Sequence, residues 1–142
     1  FIGAKAPEAL LEAADSDVAE VRVAAISALG DQIQKSDDRR AQNRVFQALD
    51  DISADVRAEA VTLIGKSCDA EDVEHILARK LTDQDTQVRK NTAMALMKLE
   101  AFNAIESIEA AKSTEKDESV QAVFNVAVNI LSRDSQADQE SE

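Results

Sequence analysis

The chain has 142 residues, of which 44% are hydrophobic and 31% are charged, and its formal net charge is −12. This length predicts one domain, and the hydrophobic share is too high for an intrinsically disordered chain. The negative charge argues against nucleic-acid binding, which gains its affinity by neutralising phosphates. One cysteine, Cys68, excludes both an internal disulfide and a cysteine-rich zinc site.

The composition favours helices. The sequence contains three Gly, one Pro and no Trp or Tyr, and alanine, the residue with the highest helix propensity, recurs along it. It has no long apolar run that would cross a membrane and no recognisable signal peptide. We therefore expect an all-α, cytoplasmic protein without membrane insertion. Because the chain starts at Phe1 rather than Met, we expect it to be a domain excised from a longer protein.

The predicted helices and turns, taken in chain order, form an internal repeat. A Val-Arg pair follows an acidic turn and precedes an Ala-rich apolar run, and a last, degenerate copy has Gln in place of Arg. The copies are Val21-Arg22, Val56-Arg57, Val88-Arg89 and Val120-Gln121, at offsets of 35, 32 and 32 residues. Within a run, apolar residues recur at helical spacing. The same spacing predicts another helix before each acidic turn, with Pro7 in the first turn of the opening helix.

One helix pair cannot bury its apolar face alone, so the four predicted pairs must stack on one another. The segment Asp83-Gln84-Asp85-Thr86-Gln87-Val88-Arg89, followed by Ala93 and Leu96, resembles the HEAT-like repeat of phycobilisome bilin lyases. The resemblance covers about residues 7–132. It implies a right-handed α-α superhelix, an α-solenoid of about four HEAT-like helix pairs. The predicted repeats are about 7–35, 36–67, 68–100 and 101–132, followed by an acidic, disordered tail at 133–142.

The motif residues have a structural interpretation. Arg22, Arg57 and Arg89 recur with the motif, so we expect each guanidinium to pair with acids of its own or the adjacent turn. Asp83 and Asp85, like the acids of the other turns, suit a helix N-terminus, where carboxylates cap free N–H groups.

The last predicted helix departs from the other copies. It is apolar nearly all round, and Val123 and Val126 occupy positions that carry polar residues or Met in the second and third copies. One interpretation is that the preceding helix and the end of the chain cover these residues. The other is that Val123, Val126 and Ile130 form a protein-interaction patch, with at least one of the two valines exposed. A patch of this kind also predicts weak self-association through the last helix.

No residue pattern predicts a catalytic, cofactor-binding or metal site. His75 is the only histidine and is interpreted as a surface residue, and Cys68 as a filler of a buried or half-buried space. We expect no cofactor. The predicted function is a non-enzymatic protein-protein interaction or scaffolding domain, acting as a regulatory module of a larger protein. Its partner would be another protein or the remainder of the parent chain. The resemblance implies an alternative, a subunit or activator of a bilin-lyase-like enzyme.

Overall fold

The computed structural model describes residues 7–33, 35 and 39–141, so Phe1 and Glu142 lie outside the described residues. Every regular element in these ranges is a helix, which confirms the all-α prediction. The chain divides into two compact units, residues 1–67 and 68–142. No helix in the described ranges has the length and apolar character needed to cross a membrane.

The described residues of the first unit form two helix pairs. Its helices are α1 (Glu8–Ala13), α2 (Ala19–Gly30), α3 (Arg39–Gln47) and α4 (Ala54–Ser67). Apolar side chains at helical spacing, such as Ile26, Val45 and Ile64, are fully buried between them. At the end of α2, the buried Gly30 lies against Leu63 of α4, so closely that a Cβ atom there would come within 2.6 Å of Leu63 Cδ2. A side chain at this position would therefore displace the Leu63 side chain.

The second unit contains the other two pairs. Its helices are α5 (Ala70–Ala78), α6 (Thr86–Lys98), α7 (Ile105–Thr114) and α8 (Glu118–Glu140). Leu77, Leu96, Ile108 and Phe124 are fully buried. The buried Thr92 satisfies its hydroxyl by donating to the carbonyl of Val88, 2.7 Å away. α6 and α8 pack side by side, so the exposed sides of both helices belong to one surface of this unit.

One feature differs from the sequence predictions, and another differs between the repeats. Residues 133–140, expected to be a disordered tail, continue α8 as helix, because they contain no Gly or Pro and extend a helix whose nucleation cost is already met. The motif valine is fully buried in three copies, at Val56, Val88 and Val120, but Val21 is 41% exposed. The first helix, α1, has only six residues and covers less of its partner.

Candidate protein-interaction surface

The motif arginines connect consecutive turns. In the first unit, Nε and Nη2 of Arg22 donate to the two carboxylate oxygens of Asp51 at 3.0 and 2.9 Å. Nη1 of Arg22 also donates to the backbone carbonyl of Ser16 in its own turn, at 2.9 Å. In the second unit, Arg89 makes the same three contacts, with both oxygens of Glu115 at 2.7 and 3.0 Å and with the carbonyl of Asp83 at 2.8 Å. Each of these arginines therefore holds two turns in a fixed relation.

The contact within the turn is present in every copy. Nη1 of Arg57 donates to the carbonyl of Asp51 at 2.9 Å. Gln121, which replaces the arginine in the fourth copy, donates its side-chain amide to the carbonyl of Glu115. Both acceptors lie six residues before their donors, as in the other copies. Gln121 therefore keeps the hydrogen bond to its own turn but has no guanidinium with which to bind an acid of another turn.

Burial and hydrogen bonding together set the charge state of these turns. Burial alone would raise the pKa of the Glu115 carboxyl, but the hydrogen bonds from Arg89 and from the backbone N–H of Asp117 outweigh it, and the pKa is lowered. Asp51 behaves in the same way: its burial is outweighed by Arg22 and the N–H of Ser53, and its pKa is lowered. The hydrogen bond from Arg22 to Asp51 in turn raises the pKa of Arg22. Both carboxylates therefore stay ionised at neutral pH.

The predicted capping by turn acids is present at α6 and α8, where Asp85 and Asp117 cap the helix, and absent at α2, which has no side-chain cap. Asp85 accepts from the backbone N–H groups of Gln87 and Val88 at 3.0 and 3.1 Å, at the N-terminus of α6. Asp83 accepts from the N–H of Asp85 at 2.9 Å. An open cleft of about 260 Å³ lies beside the Arg89–Glu115 pair. Two of the three charged side chains on its wall, Arg89 and Glu115, are bound to each other, and the third is Lys116.

Cys68 and His75 do not form a reactive site in the described residues. Cys68 follows α4 and is half-buried, and this burial, with the nearby carboxylates of Asp69 and Asp72, raises the pKa of its thiol. The thiol form is therefore favoured over the nucleophilic thiolate. His75 is exposed on α5. The described ranges contain no group of three or more His, Cys, Asp or Glu side chains that could hold a metal ion.

The three residues of the predicted interaction patch share one face of α8. Val126 is 49% exposed, as expected for at least one of the two valines, and Val123 and Ile130 are half-buried. They precede and follow Val126 by three and four residues, which places them on one side of a helix. Met94 of α6, 42% exposed, occupies the position of Val126 one repeat earlier. A contact between this patch and a partner remains a prediction.

The family model for HEAT repeats matches residues 7–97 and 42–129, which together cover most of the chain. The chain belongs to the HEAT repeat family. The helix pairs and the turn contacts described above are therefore features of HEAT repeats, and the resemblance inferred from residues 83–96 is confirmed.

Two comparisons extend this result. The chain is 44% identical over 131 residues to the bilin biosynthesis protein MpeU of Synechococcus sp. (strain WH8020), a match that covers 92% of this chain and 44% of MpeU. The chain thus spans less than half the length of that relative. The crystal structure of an engineered protein superposes with a TM-score of 0.58 at 22% identity, covering 89% of this chain and 62% of the engineered one. This second likeness supports the fold alone.

The sequence did not identify every residue of the arginine contacts or of the apolar patch. It predicted that each arginine binds acids of its own or the adjacent turn, but it did not single out Asp51 as the partner of Arg22, 29 residues on, or Glu115 as the partner of Arg89, 26 residues on. It also did not place Met94 in the apolar patch. An alignment of the copies could have identified the acid partners and Met94. It places Asp51 and Glu115 at one repeat position and Met94 and Val126 at another.

Proposed function

We propose that this chain is the protein-binding part of a bilin biosynthesis protein, and that its HEAT repeats hold a partner protein to which a bilin is delivered. The observation that carries the proposal is the 44% identity to MpeU over 92% of the chain. A match over that share of the chain includes residues on the surface of the repeats as well as residues of their core. In this proposal the chain contributes binding, and catalysis belongs to the larger assembly, as in a subunit or activator of a bilin-lyase-like enzyme.

The chemistry of the described residues supports a binding role. Four charged side chains of the turns are already bound in two separate pairs, Arg22 with Asp51 and Arg89 with Glu115. Cys68 is held as a thiol by its raised pKa. The apolar side chain of Val126, by contrast, is half exposed, and exposed apolar patches mark sites of association.

A second candidate function is a scaffold that binds a protein without any role in bilin chemistry. The membership in the HEAT family favours it, because a repeat framework serves many unrelated functions. The two candidates share the protein partner and differ in whether bilin attachment depends on the chain.

The test uses the 142-residue chain, apo-phycobiliprotein subunits and phycocyanobilin as the bilin probe. Size-exclusion chromatography measures whether the chain and an apo-subunit elute together. Absorbance and zinc-enhanced fluorescence after denaturing electrophoresis measure covalent bilin on the subunit. A variant with a disrupted core, Leu96→Asp, and a reaction without the chain are the controls.

We expect a complex with an apo-subunit and a chain-dependent change in the yield or spectrum of the bilin adduct. A complex without any change in the adduct would support the scaffold and reject the role in bilin delivery. Absence of both a complex and a change in the adduct would reject the proposed function.

A further inference from the structure

The charge of the chain is unevenly distributed. Although the sequence holds 28 acidic residues and a net charge of −12, α6 contains none from Thr86 to Lys98, and α8 contains none from Ser119 to Arg133. The charged side chains of these stretches are all basic. The surface that α6 and α8 share is therefore free of carboxylates over most of its length, in a protein that is otherwise strongly acidic.

Apolar side chains occupy the centre of this surface. Met94 and Val126 are 42% and 49% exposed, and they stand at the same position in consecutive repeats, on helices that pack side by side. Val123 and Ile130 extend the patch along α8 by three residues in one direction and four in the other. Three apolar side chains thus lie along one face of α8, and Met94 occupies the equivalent position on the helix packed beside it.

Basic side chains border the patch. Lys98 lies one helical turn after Met94, and Arg133 lies three residues after Ile130, and both are exposed. Asp134, four residues after Ile130, is the one carboxylate within a helical turn of the patch on these two helices. Neither basic side chain takes part in an ion pair within the part of the chain that the structure describes. Both basic charges are therefore available to a carboxylate brought in by another molecule.

The first two repeats lack this combination. The positions of Met94 and Val126 are occupied there by Ser27 and Thr62, and the position of Val123 is Glu59 in the second repeat. The apolar, acid-free surface is consequently not needed to build a HEAT repeat. α2 of the first repeat is also free of acids from Val21 to Gly30, so the feature specific to the last two repeats is the exposed apolar pair Met94 and Val126.

We propose that this surface, the α6–α8 face formed by Met94, Val123, Val126, Ile130, Lys98 and Arg133, binds an amphipathic helix of the partner protein whose apolar stripe is bordered by carboxylates. Charge complementarity selects this occupant, because unpaired cations beside an apolar row favour an acidic and apolar ligand. A helix fits better than a small molecule: neighbouring helices leave a groove between their side chains that accepts an amphipathic helix, whereas small ligands are enclosed in concave pockets. The inference rests on the proposed function for the existence of a protein partner and specifies its chemistry.

The test uses two synthetic helical peptides of roughly 20 residues, long enough to form helix in solution. Both carry the same leucine stripe, which is bordered by Glu in one and by Lys in the other. Fluorescence anisotropy with the 142-residue chain measures their affinities at low and high salt. We expect the Glu peptide to bind about tenfold more tightly than the Lys peptide, and the difference to shrink at high salt.

Variants of the chain identify the surface. Val126→Asp, and Lys98→Glu combined with Arg133→Glu, should each weaken binding of the Glu peptide by about tenfold or more, as changes at the centre of an interface do. Lys66→Glu is the matched control for charge, because Lys66 is the second-repeat equivalent of Lys98, and it should leave the affinity within about twofold. If Val126→Asp fails to fold by circular dichroism, Val126→Ser replaces it.

Three results would overturn the inference: equal affinity for the two peptides, unchanged binding by the Lys98→Glu, Arg133→Glu variant, or an equal loss in Lys66→Glu. A concentration-dependent dimer in sedimentation velocity that Val126→Asp abolishes, without peptide binding, would assign the face to a second copy of the chain and also overturn it. The outcome is separable from the proposed function. Complexes with apo-phycobiliprotein that survive the double charge reversal would keep that function and reject this face.

Discussion

Replacement of Arg89 by Gln tests the role of the arginine contacts between turns. Gln121 shows that a glutamine at this repeat position still donates to the carbonyl of its own turn. Arg89→Gln should therefore keep the contact with the carbonyl of Asp83 and lose the two hydrogen bonds to Glu115. The pair is well shielded, with side-chain exposures of 15% for Arg89 and 6% for Glu115.

The expected cost of Arg89→Gln follows from those two lost contacts. Hydrogen bonds to charged groups contribute about 1.5–3 kcal/mol, and exposed ion pairs about 0–1 kcal/mol. Because this pair is mostly shielded but not fully buried, we expect a loss of about 2 kcal/mol in the free energy of unfolding. For a chain of this size, that loss lowers the melting temperature by about 6–10 °C. Arg89→Ala should cost about 1 kcal/mol more, because the carbonyl of Asp83 then also loses its donor.

A double-mutant cycle in urea isolates the ion pair. The cycle uses Arg89→Gln, Glu115→Gln and the double variant, and we expect a coupling energy above about 1 kcal/mol. A coupling near zero, or a cost of Arg89→Gln below about 0.5 kcal/mol, would refute the view that this contact holds the turns together.

Acidification provides a second readout of the same pair. The pKa of Glu115 is lowered in the folded protein from an ordinary value of 4.5, so its contribution to stability is complete above that value and is lost as the pH falls through the folded pKa. In Arg89→Gln the lowering is largely removed while the burial remains. The stability difference between the two proteins should therefore be largest near neutral pH and shrink below pH 4.5. A difference that does not change with pH would contradict this assignment.

Three further predictions concern packing, capping and partners. Gly30→Ala should destabilise the fold by about 1–3 kcal/mol in thermal melts, because the new Cβ would overlap Leu63, and Leu63→Ala should relieve part of that overlap. Asp85→Ala should cost about 1 kcal/mol by removing the cap of α6, whereas Asp85→Asn, which keeps an acceptor, should cost much less, and equal losses would argue against capping. Labelled duplex or single-stranded DNA should show no salt-sensitive anisotropy change with micromolar protein at physiological salt, because the net charge of −12 repels phosphate.

The sequence by itself determined the features that depend on near neighbours. Helical spacing of apolar residues predicted the helix that carries Val88 and Leu96, and both side chains are fully buried. The acidic turn before that helix predicted its cap, which Asp85 forms with the N–H groups two and three residues later. These features are readable from sequence because their energies arise within one or two helical turns. The period of 32–35 residues added the pairing of helices, since one pair cannot bury its apolar face alone.

The tertiary structure decided which residues meet across tens of positions in the chain. Arg22 has acids near it in sequence, yet it binds Asp51, 29 residues away, because packing of α2 against α4 brings that turn within reach. In the Ala-rich run of α6, Met94 is 42% exposed, although hydropathy alone would assign it to the core. Hydropathy reports the preference of a side chain, whereas burial depends on which face of the helix the neighbouring helices cover.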